Sequence, residues 1–180
     1  MKNNSLHIRD LCMIGLFTAV IAIMAQIVIP MPFGVPVTMQ TFAIILAGMI
    51  LGPKNGALAS IIYVMLGAIG LPVFANLTGG WQSIAGPTGG FILSFPLMAY
   101  IIGLGTDMRK RWKGFSALAV LAGTLLNLLC GTAMFCLVSG STFLIGISTC
   151  VLPFLLPSII KGVLAHILGL NVKRRLQAFF

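Results

Sequence analysis

The chain has 180 residues, of which 59% are hydrophobic and only 7% charged, and eleven Lys and Arg against two acids give it a net charge of +9. A soluble domain carries about 25% charged residues, so this chain cannot coat a water-facing surface. Soluble enzymes, soluble nucleic-acid binders and disordered tails are excluded, and a mean hydropathy of +1.12 points to the membrane.

Residues 11–29 form an uncharged apolar run. At 1.5 Å per residue it reaches about 28 Å, the thickness of a bilayer core. The run is too long for a typical leader and no A-x-A site follows, so it is expected to be a retained helix. Gly15, Ala19, Ala22 and Ala25 place small residues at intervals of four and three along it. That spacing lets a second helix approach closely, and it also arises by chance in apolar helices.

Further apolar runs follow at residues 37–51, 57–73, 91–105, 115–138 and 151–170. Together they predict an all-α, polytopic membrane protein of six transmembrane helices, in one domain over residues 1–180. The connections alternate in character. Lys2 and Arg9 precede the first run, Lys54 separates the second and third, Arg109, Lys110, Arg111 and Lys113 separate the fourth and fifth, and Lys173, Arg174 and Arg175 follow the sixth. The connections 30–36, 74–84 and 139–150 hold no charge. The positive-inside rule then puts both termini in the cytoplasm of a multi-pass plasma-membrane protein. Membrane lipid headgroups and topology account for the basic stretch 109–113, and no nucleic-acid partner is expected.

Lys161 is the one basic residue outside this scheme. It lies inside the sixth run, about 18 Å of helix before Lys173, too far to snorkel towards that end. A mid-bilayer ammonium costs about 2.5–3.5 kcal/mol on insertion scales. The only acids are Asp10 and Asp107, both on the cytoplasmic side. Lys161 therefore reaches the outer surface, is neutral, or meets an anion from outside. Pro157, four residues earlier, is expected to kink or break the helix, and the N-terminal end of a half-helix favours anions.

Two uncharged connections are dense in Gly and Pro. The first runs Pro30, Met31, Pro32, Phe33, Gly34, Val35, Pro36, then Val37, Thr38, Met39, Gln40 and Thr41. The second runs from Gly70-Leu71-Pro72 through Asn76, Thr78, Gly79, Gly80, Trp81 and Gln82 to Gly86-Pro87-Thr88-Gly89-Gly90-Phe91. Glycines allow close approach of backbone to a ligand, and Thr, Asn and Gln supply neutral donors and acceptors. Two ordinary turns with an interfacial Trp are the alternative. Neither GPTGG nor the stretch 52–56 has the Lys-Ser/Thr ending of a P-loop. No catalytic set, metal site or acidic relay can be assembled. Cys12, Cys130, Cys136 and Cys150 lack a CxxC pattern, and His166 stands alone.

The motifs Pro36-Val37-Thr38-Met39-Gln40, Gly70-Leu71-Pro72-Val73-Phe74, and Gly79-Gly80 followed by Gly86-Pro87-Thr88-Gly89-Gly90-Phe91 together resemble BioY, the biotin-binding S component of energy-coupling factor transporters. The resemblance implies capture of biotin from the outer face, with no resident cofactor and no catalysis. It also implies a transmembrane coupling protein and cytoplasmic ATPases as partners. Gly15 and Ala19 fall where S components carry an Ala-xxx-Ala motif that docks the coupling protein. BioY-like sequences usually carry Pro-Gly-Asp, two residues, then Lys. Here the stretch is Leu156-Pro157-Ser158-Ile159-Ile160-Lys161, with Ser158 in place of the Asp. The residue before the Gly-Gly pair, Asn in some members, is Thr78. On this resemblance Lys161 takes the ligand carboxylate and Ser158 a polar ring atom. Thr78, Asn76 and Gln40 are polar contacts, Gly79, Gly80, Gly89 and Gly90 give backbone access, and Phe33, Phe74, Trp81 and Phe91 form apolar walls. An S component for another small carboxylate, and a membrane assembly protein with no ligand, are the alternative readings.

Overall fold

The computed structural model describes residues 7–31, 35–110 and 114–179. In chain order the elements are α1 (Ile8–Ala25), β1 (Val28–Ile29), β2 (Val37–Thr38), α2 (Gln40–Ala68), α3 (Trp81–Ala85), α4 (Gly89–Asp107), α5 (Phe115–Ser139), α6 (Phe143–Cys150) and α7 (Leu152–Phe179). Single 3-10 turns lie at Ala75–Leu77 and Met108–Lys110. Five of the helices, α1, α2, α4, α5 and α7, are long and apolar enough to cross a membrane.

The helices differ from the expected six in two ways. First, the predicted second and third spans fall within one element, α2, which is broken at Gly52 (φ 82, ψ −179). Only glycine adopts that backbone without strain, and Pro53 then begins a new helical turn, where a missing N–H costs least. Positions eight residues apart on an unbroken helix lie about 12 Å apart, yet a Cβ placed on Gly56 would fall 2.8 Å from the Gly48 Cα. Gln40 and Tyr63, on either side of the break, are joined by a 2.6 Å hydrogen bond. The arms 40–51 and 53–68 thus fold back on each other, and two glycines bring their backbones into contact. Second, the connections hold short helices: α3 and α6 occupy stretches expected to be loop. Gly140 (φ 64) ends α5 in the left-handed region, and α6 follows before Val151 and Pro153 restart the chain as α7.

Pro157 does not break α7, which runs from Leu152 without interruption. Pro157 forgoes one N–H bond, to the carbonyl of residue 153, and the helix continues through it.

The hairpin of α2 sits at the centre, packed against α4, α1 and α7, with α5 against the far side of α4. Ile44, Met49, Tyr63, Phe95, Met98 and Ile102 are sealed between them. One end gathers Gly52, whose added Cβ would sit 3.5 Å from Asp107 Oδ2, and the Lys173–Asp107 ion pair at 2.8 Å. The opposite end gathers the two-stranded ladder, in which Val28 faces Thr38 and Ile29 faces Val37, together with the 70–88 region. The arm 40–51 is only about 18 Å long, short of the roughly 30 Å hydrocarbon core. Non-helical chain at 35–39 precedes it and lines the cavity at this end.

The glycine contact generates a prediction. Gly56→Leu forces a side chain into the Gly48 backbone, and overpacking of this kind costs about 1–3 kcal/mol. Thermal unfolding in detergent should show a lowered midpoint, whereas Gly15→Leu, at a position with nothing within 4 Å, should leave it unchanged.

Candidate functional site

A cavity of about 270 Å³ opens at the end of the bundle where the ladder lies. Its walls come from residues 35–41, the 74–88 region, α4, the middle of α5 and the first turns of α7. More of the wall surface is apolar than polar, yet eleven of the twenty lining residues carry polar side chains, so the site offers both kinds of contact.

Lys161 projects from α7 into this cavity and is 7% exposed. Its Nζ donates to the Thr38 carbonyl at 2.9 Å and to Thr41 Oγ1 at 2.8 Å. An ammonium has three donors, so one remains, and neither partner carries charge. The Lys173–Asp107 ion pair lies at the opposite end of the bundle.

The groups around Lys161 are fixed by a chain of hydrogen bonds. Thr38 Oγ1 donates to Gln40 Oε1 at 3.0 Å, Gln40 Nε2 donates to Tyr63 Oη at 2.6 Å, and Tyr63 Oη donates to the Val73 carbonyl at 3.1 Å. Gln26, at the end of α1, clamps the same loop. Its Nε2 donates to the Phe74 carbonyl at 3.1 Å, and its Oε1 accepts from the Leu77 N–H at 2.9 Å. Buried polar groups satisfied in this way rigidify their surroundings. The loop has a reason to need holding: Asn76 (φ 56) and Leu77 (φ 55) are consecutive non-glycine residues in the left-handed region, which Asn tolerates better than most residues.

Of the residues singled out from sequence, the structure brings Lys161, Ser158, Thr78, Asn76, Gln40, Phe74 and Phe91 to the cavity wall. Gln40 has both polar ends engaged within the protein, so it supports the wall as well as lining it. Thr78 Oγ1 donates to the Ala75 carbonyl at 2.8 Å. Phe91 stacks on Phe154 with centroids 6.0 Å apart, and Phe74 meets Tyr63 edge-on at 5.5 Å. Gly79, Gly80, Gly89 and Gly90 are outside the lining. Gly79, Gly89 and Gly90 instead meet protein backbone, at Leu71, Ile84 and Cys130, and Gly80 takes a positive φ of 90 before α3. Trp81 is 71% exposed and also outside the lining. Phe33 lies outside the described residues, as do Lys2, Arg111 and Lys113. Gly15 and Ala19 share an exposed face of α1, away from the cavity, while Ile14, Phe17, Thr18 and Ile21 turn inwards.

Sequence reasoning placed Thr41 in the first loop without singling it out, and missed Asn127, Phe154, Tyr63 and Gln26. Asn127 carried a legible signal, as a lone amide inside an otherwise uncharged apolar run. Such a residue normally faces the bundle interior or a cavity. Tyr63 becomes visible only once the fold-back at Gly52 is known.

Known proteins bear on this geometry. The sequence matches the BioY family over residues 1–178. The chain belongs to the BioY family. A protein named probable biotin transporter BioY from Pyrococcus horikoshii is 40% identical over 163 residues, covering 89% of this chain and 94% of that one. The biotin transporter BioY of Thermotoga maritima is 39% identical over 171 residues, covering 92% and 96%. A crystal structure of the S-component for biotin from an ECF-type ABC transporter superposes with a TM-score of 0.85 at 27% identity, over 97% of this chain and 95% of that one. This BioY-family chain is thus a membrane protein with the S-component fold.

The hydrogen-bonded chain from Thr38 to Val73 makes Tyr63 the residue to test. Tyr63→Phe keeps the ring packed on Phe74 but strands Gln40 Nε2 and leaves the Val73 carbonyl with only the longer 3.4 Å bond from Gln26 Nε2. An unsatisfied buried group costs about 1–3 kcal/mol. The variant should unfold at lower temperature, and limited proteolysis should cut the 70–88 region faster than in the parent.

Proposed function

We propose that this chain is the substrate-capture subunit of a vitamin transporter, a carrier and not an enzyme. It binds biotin in the outer cavity and delivers it through an ATPase-driven module. One observation carries the reading: a buried ammonium with no acid bonded to it, Lys161, lines a small cavity with both apolar and neutral polar walls. A ligand with a carboxylate at one end and an apolar body supplies both the missing charge and the matching surface. The names of the relatives and of the superposed structure favour biotin as that ligand.

Counting the arms 40–51 and 53–68 separately gives six membrane crossings in a single domain. The positive-inside rule then leaves both termini in the cytoplasm and turns the cavity outwards. The exposed Gly15 and Ala19 face of α1 is the docking face for the transmembrane coupling protein, since small residues allow close helix contact. The cytoplasmic ATPases supply the energy, because the chain has no P-loop.

The test is direct binding of labelled biotin to the purified protein, with lipoate, pantothenate and a short fatty acid as competitors. Biotin should bind saturably and resist displacement by the other carboxylates. Displacement by any of them at equal concentration would move the assignment to another carboxylate. No binding of any carboxylate would favour an assembly protein.

A further inference from the structure

Asn127 stands midway along α5, 2% exposed, on the wall of the cavity. Its Nδ2 donates to the Phe91 carbonyl at 2.9 Å and to Ser94 Oγ at 2.8 Å. Ser94 Oγ in turn donates to the same Phe91 carbonyl at 3.0 Å. These bonds fix which way the amide faces. Turned over, its oxygen would meet a carbonyl oxygen that accepts only. Both N–H groups are therefore spent on α4, and Oδ1 is the polar atom left over. No donor among the described residues reaches Oδ1, and it is absent from the polar atoms that are both sealed and unpaired. It keeps access to the cavity that its side chain lines.

An amide oxygen held in this way is a preorganised acceptor. It cannot rotate away, as the hydroxyl of Ser158 can, and it is not on an exposed loop, as Asn76 is. Lys161, on α7, offers only donors and a positive charge. Asn127, on α5, offers only an acceptor. The cavity therefore presents two unlike demands from two helices: an anion for one and an N–H donor for the other.

We propose that Asn127 Oδ1 accepts a hydrogen bond from a ring N–H of the ligand's cyclic urea, so that Asn127 determines specificity for that end of the molecule. The proposal rests on the biotin reading above. It makes the α4–α5 pair a sensor of the ligand's ring, where Ser158 offers only a hydroxyl.

The experiment compares biotin with its two cyclic carbamate analogues, in each of which one ring N–H is replaced by oxygen at nearly unchanged shape. Affinities are measured by calorimetry for the parent, Asn127→Leu and Asn127→Ala. In the parent, one carbamate should bind about tenfold more weakly than biotin, the scale of one lost hydrogen bond. In both variants the affinity for biotin should fall and the biotin-to-carbamate ratio should collapse towards one. Asn127→Ala opens space without adding bulk, so it serves if Asn127→Leu does not fold. A merely structural Asn127 would weaken all three ligands equally and keep the parental ratio, which would overturn the inference while leaving the biotin reading intact. A parent that does not discriminate against either carbamate would overturn it as well. A parent that does not bind biotin at all would overturn both.

Discussion

The rest of this structure depends on one buried ammonium that has no acid beside it. Removing a charge from water is costly unless partners replace the solvent. Lys161 finds two, the Thr38 carbonyl and the Thr41 hydroxyl, and both come from the stretch where the chain enters α2. That stretch is shaped to serve it. The ladder holds Thr38 opposite Val28, the hydroxyl of Thr38 is taken by Gln40, and Gln40 is taken by Tyr63. A carbonyl and a hydroxyl solvate the cation, yet neither neutralises it.

The fold supplies this arrangement by dividing labour between the two ends of the bundle. At the Gly52 end, helices approach through glycines and the chain reverses within a single residue, with the Lys173–Asp107 pair beside the turn. At the cavity end, the same hairpin opens its arms to irregular chain. Because α2 folds back at Gly52, Gln40 at the start of one arm comes level with Tyr63 near the end of the other. The polar network is thus a consequence of the reversal. Gln26 extends it to α1, so the loop over the cavity is held from two helices rather than by its own contacts.

Much of this was legible in the sequence. Apolar runs identified a polytopic helical membrane protein, and a lysine without an intrinsic counter-charge marked the candidate site. Four things were not. The fold-back at Gly52 looks like a short gap between two runs, because helix-period hydrophobicity cannot distinguish a kink from a reversal. The glycines of the 79–90 stretch looked like ligand access. Three of the four instead admit neighbouring backbone and one sets up α3, since close packing and close ligand approach demand the same missing Cβ. Pro157 looked like a break because proline removes a backbone donor, yet α7 continues through it with that one bond missing. Asn127 was overlooked for the opposite reason: a single amide hardly alters the hydropathy of a long apolar run, although its burial makes it costly and therefore informative.

The central claim is that the charge on Lys161 is completed by a ligand carboxylate, and Lys161→Met tests it most directly. The substitution removes the charge while keeping similar bulk, and it should insert in the membrane at least as well as the parent. Calorimetry at matched pH with biotin and with biotin amide separates the carboxylate from the rest of the ligand. Hydrogen bonds to charged groups contribute about 1.5–3 kcal/mol. The account therefore predicts a loss of roughly tenfold to a hundredfold for biotin, weak binding of the amide by the parent, and little further loss of amide binding in the variant. Equal affinity of the parent and Lys161→Met for biotin would contradict it.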